Sequence, residues 1–191
     1  VCIKDPKDIR YELEKSYFLS TSGRCGPIVL DIPMDIQKAD VDVETLTGFD
    51  SSAFELKYDF HAIEKKVVNF FEDLIKAKRP VILAGGGLRV TNNIEKFNKI
   101  LEKLKIPTFV TWNGIDVVTS DCDYYGGRVG TYGGPGRNFG IQNADLLFAV
   151  GSRVSGRITG GNVSSFAREA KKYITDIDPE LLDKKFQQVP F

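Results

Sequence analysis

Histidine, tryptophan and methionine each occur once in the 191 residues. With one histidine, Ser-His-Asp and Cys-His catalysis would have to run through His61, and a multi-histidine metal site is excluded. Cysteine is scarce as well. Cys2, Cys25 and Cys122 are scattered, odd in number and without CxxC spacing, which argues against a disulfide framework and against zinc. A reducing cytoplasm is the expected setting. Neither charge sign is in excess: 26 Lys+Arg balance 26 Asp+Glu, so the basic stripe of a general nucleic-acid binder is missing. No apolar run approaches the ~20 residues of a membrane span, and no signal-peptide pattern is seen. The chain also lacks a Walker phosphate loop and a regular G-x-G-x-x-G.

What is present is ordinary for a globular chain, at 42% hydrophobic and 27% charged residues. The first residue is Val1 rather than Met, so the expectation is a piece of a longer polypeptide. Asp5, Pro6 and Asp8 mark a helix start, and Ile9, Leu13 and Phe18 supply its apolar face. Pro27-Ile-Val-Leu-Asp-Ile-Pro33 reads as a short buried strand. Residues 38–59 read as a linker. From residue 60 the pattern is regular. Ala62, Ile63, Val67, Phe70, Phe71, Leu74 and Ile75 repeat with a helical period to about Lys78. Strands are expected at 81–84, 108–110, 145–150 and 173–177, with a helix over 94–104 capped by Asn92 or Asn93. Strands alternating with helices imply right-handed crossovers. The fold class is therefore α/β, an open, mainly parallel sheet with helices on both faces. The expected domains are a 1–37 tail of one domain, the linker, and a nucleotide-binding-like domain over 60–191.

Eleven of the 18 glycines fall between Gly126 and Gly161, and Gly85, Gly86 and Gly87 form a second group. In an open parallel sheet, ligands bind outside the carboxyl ends of the strands. Glycine there is either a tight turn or a place where backbone approaches a ligand. Gly151 ends a strand, and Arg153 and Arg157 follow it, where they either pair with a pyrophosphate or stand as surface arginines. Asp176 ends the last strand and reads as an acceptor for ribose hydroxyls, whereas Asp178 reads as the cap of a helix starting at Pro179. Trp112 closes a strand beside Thr111 and either stacks on a ligand ring or packs at an interface. His61 reads as a solvated residue.

These segments together resemble a known family. Gly23-Arg-Cys-Gly-Pro-Ile-Val-Leu-Asp-Ile-Pro33, Arg79-Pro-Val-Ile-Leu-Ala-Gly-Gly-Gly87, Asp145-Leu-Leu-Phe-Ala-Val-Gly-Ser-Arg153, Arg157-Ile-Thr-Gly160 and Asp176-Ile-Asp-Pro179 are similar to the motifs of thiamine-diphosphate enzymes of the acetolactate synthase type. The resemblance covers nearly the whole chain. It implies the tail of a pyrimidine-binding domain, a linker, and a central domain that holds FAD or ADP. Carried over residue by residue, the implied cofactor-binding set is Arg24, Gly85, Gly86, Gly87, Thr111, Trp112, Asn113, Gly130, Gly133, Gly151, Arg153, Arg157, Asp176 and Ile177. Four departures stand out. Cys25 replaces a proline, Met34 a lysine, Ser155 an aspartate, and Tyr132 the family's histidine.

The resemblance further implies thiamine diphosphate and magnesium in the parent enzyme, with the catalytic glutamate upstream of residue 1 and a magnesium-binding GDG downstream of residue 191. No GDG occurs in the chain. The implied parent decarboxylates and joins 2-oxo acids as a homodimer or homotetramer, and this polypeptide alone does not complete the reaction. No catalytic or metal-ligating residue is assigned within it. Two other readings of the same residues are a stand-alone nucleotide-binding module without thiamine chemistry, and a ligand-free structural domain.

Overall fold

Val81, Ile82, Leu83 and Ala84 form a continuous apolar run, which fits only a strand buried on both faces. In the computed structural model that strand is the centre of a parallel sheet. The structure describes residues 1–54, 57–160, 163–178 and 182. By internal contacts the chain divides into two units, Val1–Asp59 and Phe60–Phe191.

The second unit holds the sheet. Its strands are β1 (Pro80–Ala84), β2 (Thr108–Val110), β3 (Tyr125–Arg128), β4 (Leu146–Val150) and β5 (Lys171–Thr175). Among the described residues the order is β3-β2-β1-β4-β5, and every neighbouring pair is parallel. Leu83 lies level with Phe109 on one side and with Ala149 on the other. The direction of winding reverses between β1 and β4, which creates a crevice at the carboxyl ends of those two strands.

Alternate residues of β1 point to opposite faces. Val81 and Leu83 join Phe109, Leu147, Ile141 and Phe166 in one core, and Ile82 and Ala84 join Phe97, Leu101, Val110 and Val117 in the other. Ile141 comes from α6 (Pro135–Gln142), and Phe97 and Leu101 come from α5 (Ile94–Leu104). Helices thus cover both faces, as the alternating pattern implies. The helix read from residue 60 onward is α3 (Phe60–Lys76). It docks through Phe70, whose ring centroid lies 4.9 Å from Phe148 and 5.2 Å from Tyr173. Asp73, one residue column away, accepts from the Lys171 ammonium and the Tyr173 hydroxyl of β5. Both bonds hold its carboxyl below the usual range, the lysine bond foremost. On the other margin of the apolar stripe Ile75 is 85% exposed.

At the amino ends of the strands, the Asp145 carboxylate accepts from the Lys78 and Arg79 backbone N–H groups at 2.7 and 2.9 Å. This fastens the start of β4 beside the start of β1.

The first unit is built on α1 (Ile9–Thr21), with the short α2 (Met34–Lys38) following. Phe49 inserts its ring between Tyr11 and Phe54, at centroid distances of 5.5 and 5.3 Å, and touches Phe18 as well. Glu14 fixes that position by accepting from the Phe49 N–H at 2.7 Å.

Several expectations are corrected. Pro27–Pro33 is not a buried strand. Only Asp31 forms a bridge, to Cys2, and Val29 is 77% exposed. A strand needs a ladder partner along its length, and prolines at both ends remove donors. β5 begins two residues earlier than expected, so Asp176 lies just beyond it. Neither Asn92 nor Asn93 gives α5 a side-chain cap; the Asn93 amide donates back to Thr91. β3 and α6 were not anticipated. Tyr-Gly-Gly-Arg carries little strand signal, because glycine has no side chain to pack. The Phe109 ring takes that space: a Cβ on Gly126 or Gly140 would meet it at 2.8 or 2.5 Å. The glycine run at 130–136 therefore does sit between a strand and a helix. The helix expected at Pro179 and Glu180 lies outside the described residues.

Phe70→Ala should destabilise the chain by about 3–5 kcal/mol in urea unfolding, against at most about 0.5 kcal/mol for Ile75→Ala. A lowered carboxylate pKa stabilises the fold above the unfolded value of about 3.9, and the benefit fades as pH falls through the folded value. Urea midpoints should therefore show Asp73→Asn below wild type near pH ~7, with the gap narrowing as pH falls below the unfolded value of about 3.9.

Candidate functional site

Because the strands are parallel, their carboxyl ends share one rim, and thirteen of the fourteen residues marked from the sequence fall on it. Gly85–Gly87 follow β1, Thr111–Asn113 follow β2, Gly130 and Gly133 follow β3, Gly151, Arg153 and Arg157 follow β4, and Asp176 and Ile177 follow β5. Arg24 belongs to the first unit, on the loop after α1.

The rim is knitted by backbone. Gly85 N–H donates to Val150 O, Gly87 N–H to Gly151 O, Thr111 N–H to Ala84 O and Gly151 N–H to Thr175 O, at 2.9–3.1 Å. The approach is too close for side chains. A Cβ on Gly85 would lie 2.2 Å from the Gly151 carbonyl oxygen, and one on Gly86 would lie 2.6 Å from that of Asn113. Gly151 has φ +59°, and its Cβ would meet the Leu88 nitrogen at 2.8 Å. These glycines are thus required by contact between the strand ends themselves. The short α4 (Gly87–Val90) begins there, and its Arg89 reaches back to Asp116 and, at 2.8 Å, to the Asn113 carbonyl. The arginine bond holds Asp116 below the usual carboxylate range.

After β4 the chain makes an unusual turn. Val154, β-branched and 3% exposed, has φ +46°. Such a conformation costs about 1–3 kcal/mol and persists only where the surroundings enforce it. It delivers Arg153 to the surface and starts α7 (Gly156–Thr159), which carries Arg157. Neither arginine side chain has a hydrogen-bonding or ionic partner among the described residues. The Arg157 carbonyl accepts from the Thr131 N–H at 2.9 Å, joining α7 to the loop after β3. Asn138 of α6 shapes that loop: its side chain accepts from the Gly130 N–H and donates to the Gly130 carbonyl.

Between these two segments and the end of β2 lies a cleft of about 300 Å³ lined by Trp112, Val129, Thr131, Tyr132, Arg157 and Ile158. The Trp112 and Tyr132 rings are 5.4 Å apart. The Arg128 guanidinium stands over the indole at 4.5 Å. Of the residues marked from the sequence, Trp112 and Arg157 meet here. Arg153, Asp176 and Ile177 lie on the rim without lining the cleft. The Asp176 carboxylate accepts from the Asp178 N–H at 3.1 Å. Arg128, Val129 and Thr131 were missed because finding them required recognising β3, whose end positions the loop, and Ile158 of α7 was missed with them because it meets the cleft only against that loop. Among the described residues no group of three His, Cys, Asp or Glu side chains can hold a metal ion. No helix there is long and apolar enough to cross a membrane.

A parallel sheet in the order β3-β2-β1-β4-β5 with helices on both faces defines a doubly wound α/β domain. A family model described as thiamine pyrophosphate enzyme, central domain, matches residues 68–191, and the chain belongs to that family. It is 33% identical over 186 residues to a probable acetolactate synthase large subunit of Methanocaldococcus jannaschii, covering 95% of this chain and 31% of that protein. It is also 33% identical over 172 residues to the acetolactate synthase isozyme 2 large subunit of Escherichia coli, covering 90% of this chain and 30% of that protein. The acetolactate synthase large subunit of Corynebacterium glutamicum is 31% identical over 189 residues, 98% of this chain and 30% of that protein. The chain thus spans less than a third of the length of these relatives.

Gly85→Ala and Gly151→Ala should each lower the thermal midpoint sharply, by the several degrees or more that a loss of over 2 kcal/mol brings. Gly136, whose Cβ would meet nothing within 4 Å, is the control: Gly136→Ala should be neutral or stabilise α6 by up to about 1 kcal/mol.

Proposed function

We propose that this chain is the nucleotide-holding central domain of a thiamine diphosphate-dependent enzyme of the acetolactate synthase type. The observation that carries the nucleotide reading is the cleft. An exposed indole, a tyrosine ring and an arginine without an acidic partner among the described residues converge at the carboxyl ends of a parallel sheet. Aromatic walls suit a planar base, and a guanidinium suits a phosphate. The adenosine diphosphate portion of ADP or FAD combines both features. Arg153 and Arg157 are the groups to meet its phosphates, and the cores beneath them hold the rim rigid.

In the longer enzyme, one 2-oxo acid loses carbon dioxide and the remaining acyl unit joins the carbonyl of a second 2-oxo acid. Thiamine diphosphate with magnesium supplies the carbanion-stabilising chemistry, and this chain contributes binding and orientation rather than acid or base groups. The enzyme is a homodimer or homotetramer in the cytoplasm. The family membership and the named relatives support this reading. All three cysteines are free, in keeping with a reducing compartment.

A second reading, a scaffold without ligand, has its own observation. Gly85, Gly86 and Gly151 are accounted for by backbone packing and need no ligand to explain them. Titration calorimetry of the chain with ADP, FAD and NAD separates the two. The expected result is saturable binding of ADP or FAD, weakened at least about tenfold in Arg157→Ala. Absence of heat with all three would leave the scaffold reading.

A further inference from the structure

Arg128 ends β3 and carries a guanidinium with an unusual environment. Its Nε–H is buried and donates to no partner among the described residues, and no carboxylate there pairs with it. Its carbon centre instead stands 4.5 Å from the middle of the Trp112 ring. A half-buried guanidinium whose Nε–H lacks a partner is tolerated in this way when its positive charge faces the negative face of an aromatic system. Trp112 needs such support. It sits in a short turn after β2, is 57% exposed, and otherwise touches the tilted ring of Tyr132. An indole in that situation has freedom that a binding wall does not tolerate.

We propose that Arg128 is a positioning residue. Its guanidinium holds the Trp112 indole from behind as one wall of the cleft, so that the purine ring of a phosphorylated nucleoside stacks on the open side with its phosphates toward Arg157. This rests on the nucleotide reading above and adds to it a cation–indole–purine stack with a named residue behind the wall. The ring is recognised through Arg128 and Trp112. The phosphates are recognised through Arg157. The two halves of the ligand are therefore separable by experiment.

Trp112 is the only tryptophan in the chain, so its emission reads the cleft directly. The 191-residue chain is titrated with ADP, with FAD, and with inorganic pyrophosphate, which lacks a ring. The variants are Arg128→Met and Arg128→Lys, each checked for wild-type circular dichroism. The expected result for Arg128→Met is a red-shifted emission, about twofold greater quenching by acrylamide, and about tenfold weaker ADP binding with pyrophosphate binding unchanged. Arg128→Lys should restore most of both. Comparing ADP with FAD tells whether the bound group is the free nucleotide or part of the flavin. If wild type binds ADP or FAD and Arg128→Met binds it equally with unaltered emission, the role of Arg128 is overturned while the nucleotide reading stands. If wild type binds neither, both fall.

Discussion

Among the glycines of the described residues, the tightest approach is at the meeting of the ends of β1 and β4. Gly85, Gly87 and Gly151 touch backbone to backbone, with no room for a single methyl group. Much of the rim follows from it. Bringing these ends together lets Gly87 donate to Gly151 and start α4, whose Arg89 then anchors the turn that carries Trp112. The same contact demands a left-handed Gly151, after which Val154 takes its strained turn and Arg153 and Arg157 emerge. The cleft is thus assembled from residues far apart in sequence because two strands are forced to end side by side.

At the opposite end the sheet is held by other means. Asp145 joins β1 to β4 through backbone N–H groups, and Asp73 joins α3 to β5 through side chains. The amino end is fixed by charge-assisted hydrogen bonds and the carboxyl end by steric closeness. Such a division suits a domain whose rim must keep its shape while presenting uncommitted cationic groups.

How far the sequence revealed this depended on the side chains. Runs such as Val81–Ala84 and Leu146–Val150 have one physical solution, a strand buried on both faces, and both were legible. The period of α3 was legible for a similar reason. β3 was not, because two of its four residues are glycines, Gly126 leaving room for Phe109 and Gly127 for Arg137, and that room is visible only once β2 and α6 are in place. Pro27–Pro33 misled in the other direction: its apolar run reads as a strand, but its pairing with Val1–Ile3 amounts to a single bridge at Asp31 and leaves it exposed. Trp112 and Arg157 were marked at the site, while Arg128 was hidden with its strand. The glycines at 85–87 and 151 fall on the rim, and the backbone contact that requires them could be seen only in three dimensions.

The order β3-β2-β1-β4-β5 also has a history written into it. β1 pairs early with β2, which follows it after one helical excursion, but its other edge must wait for β4, which is translated only after β3 and α6. Until then Leu83 faces its first neighbour alone, and one side of the central strand is an open template. Closure of the sheet is therefore long-range in sequence, the kind of pairing that slows folding and leaves a strand edge open to mispairing. The segment that ends the exposure is the one that brings Gly151 against Gly85, so the rim takes shape in the same event that closes the sheet.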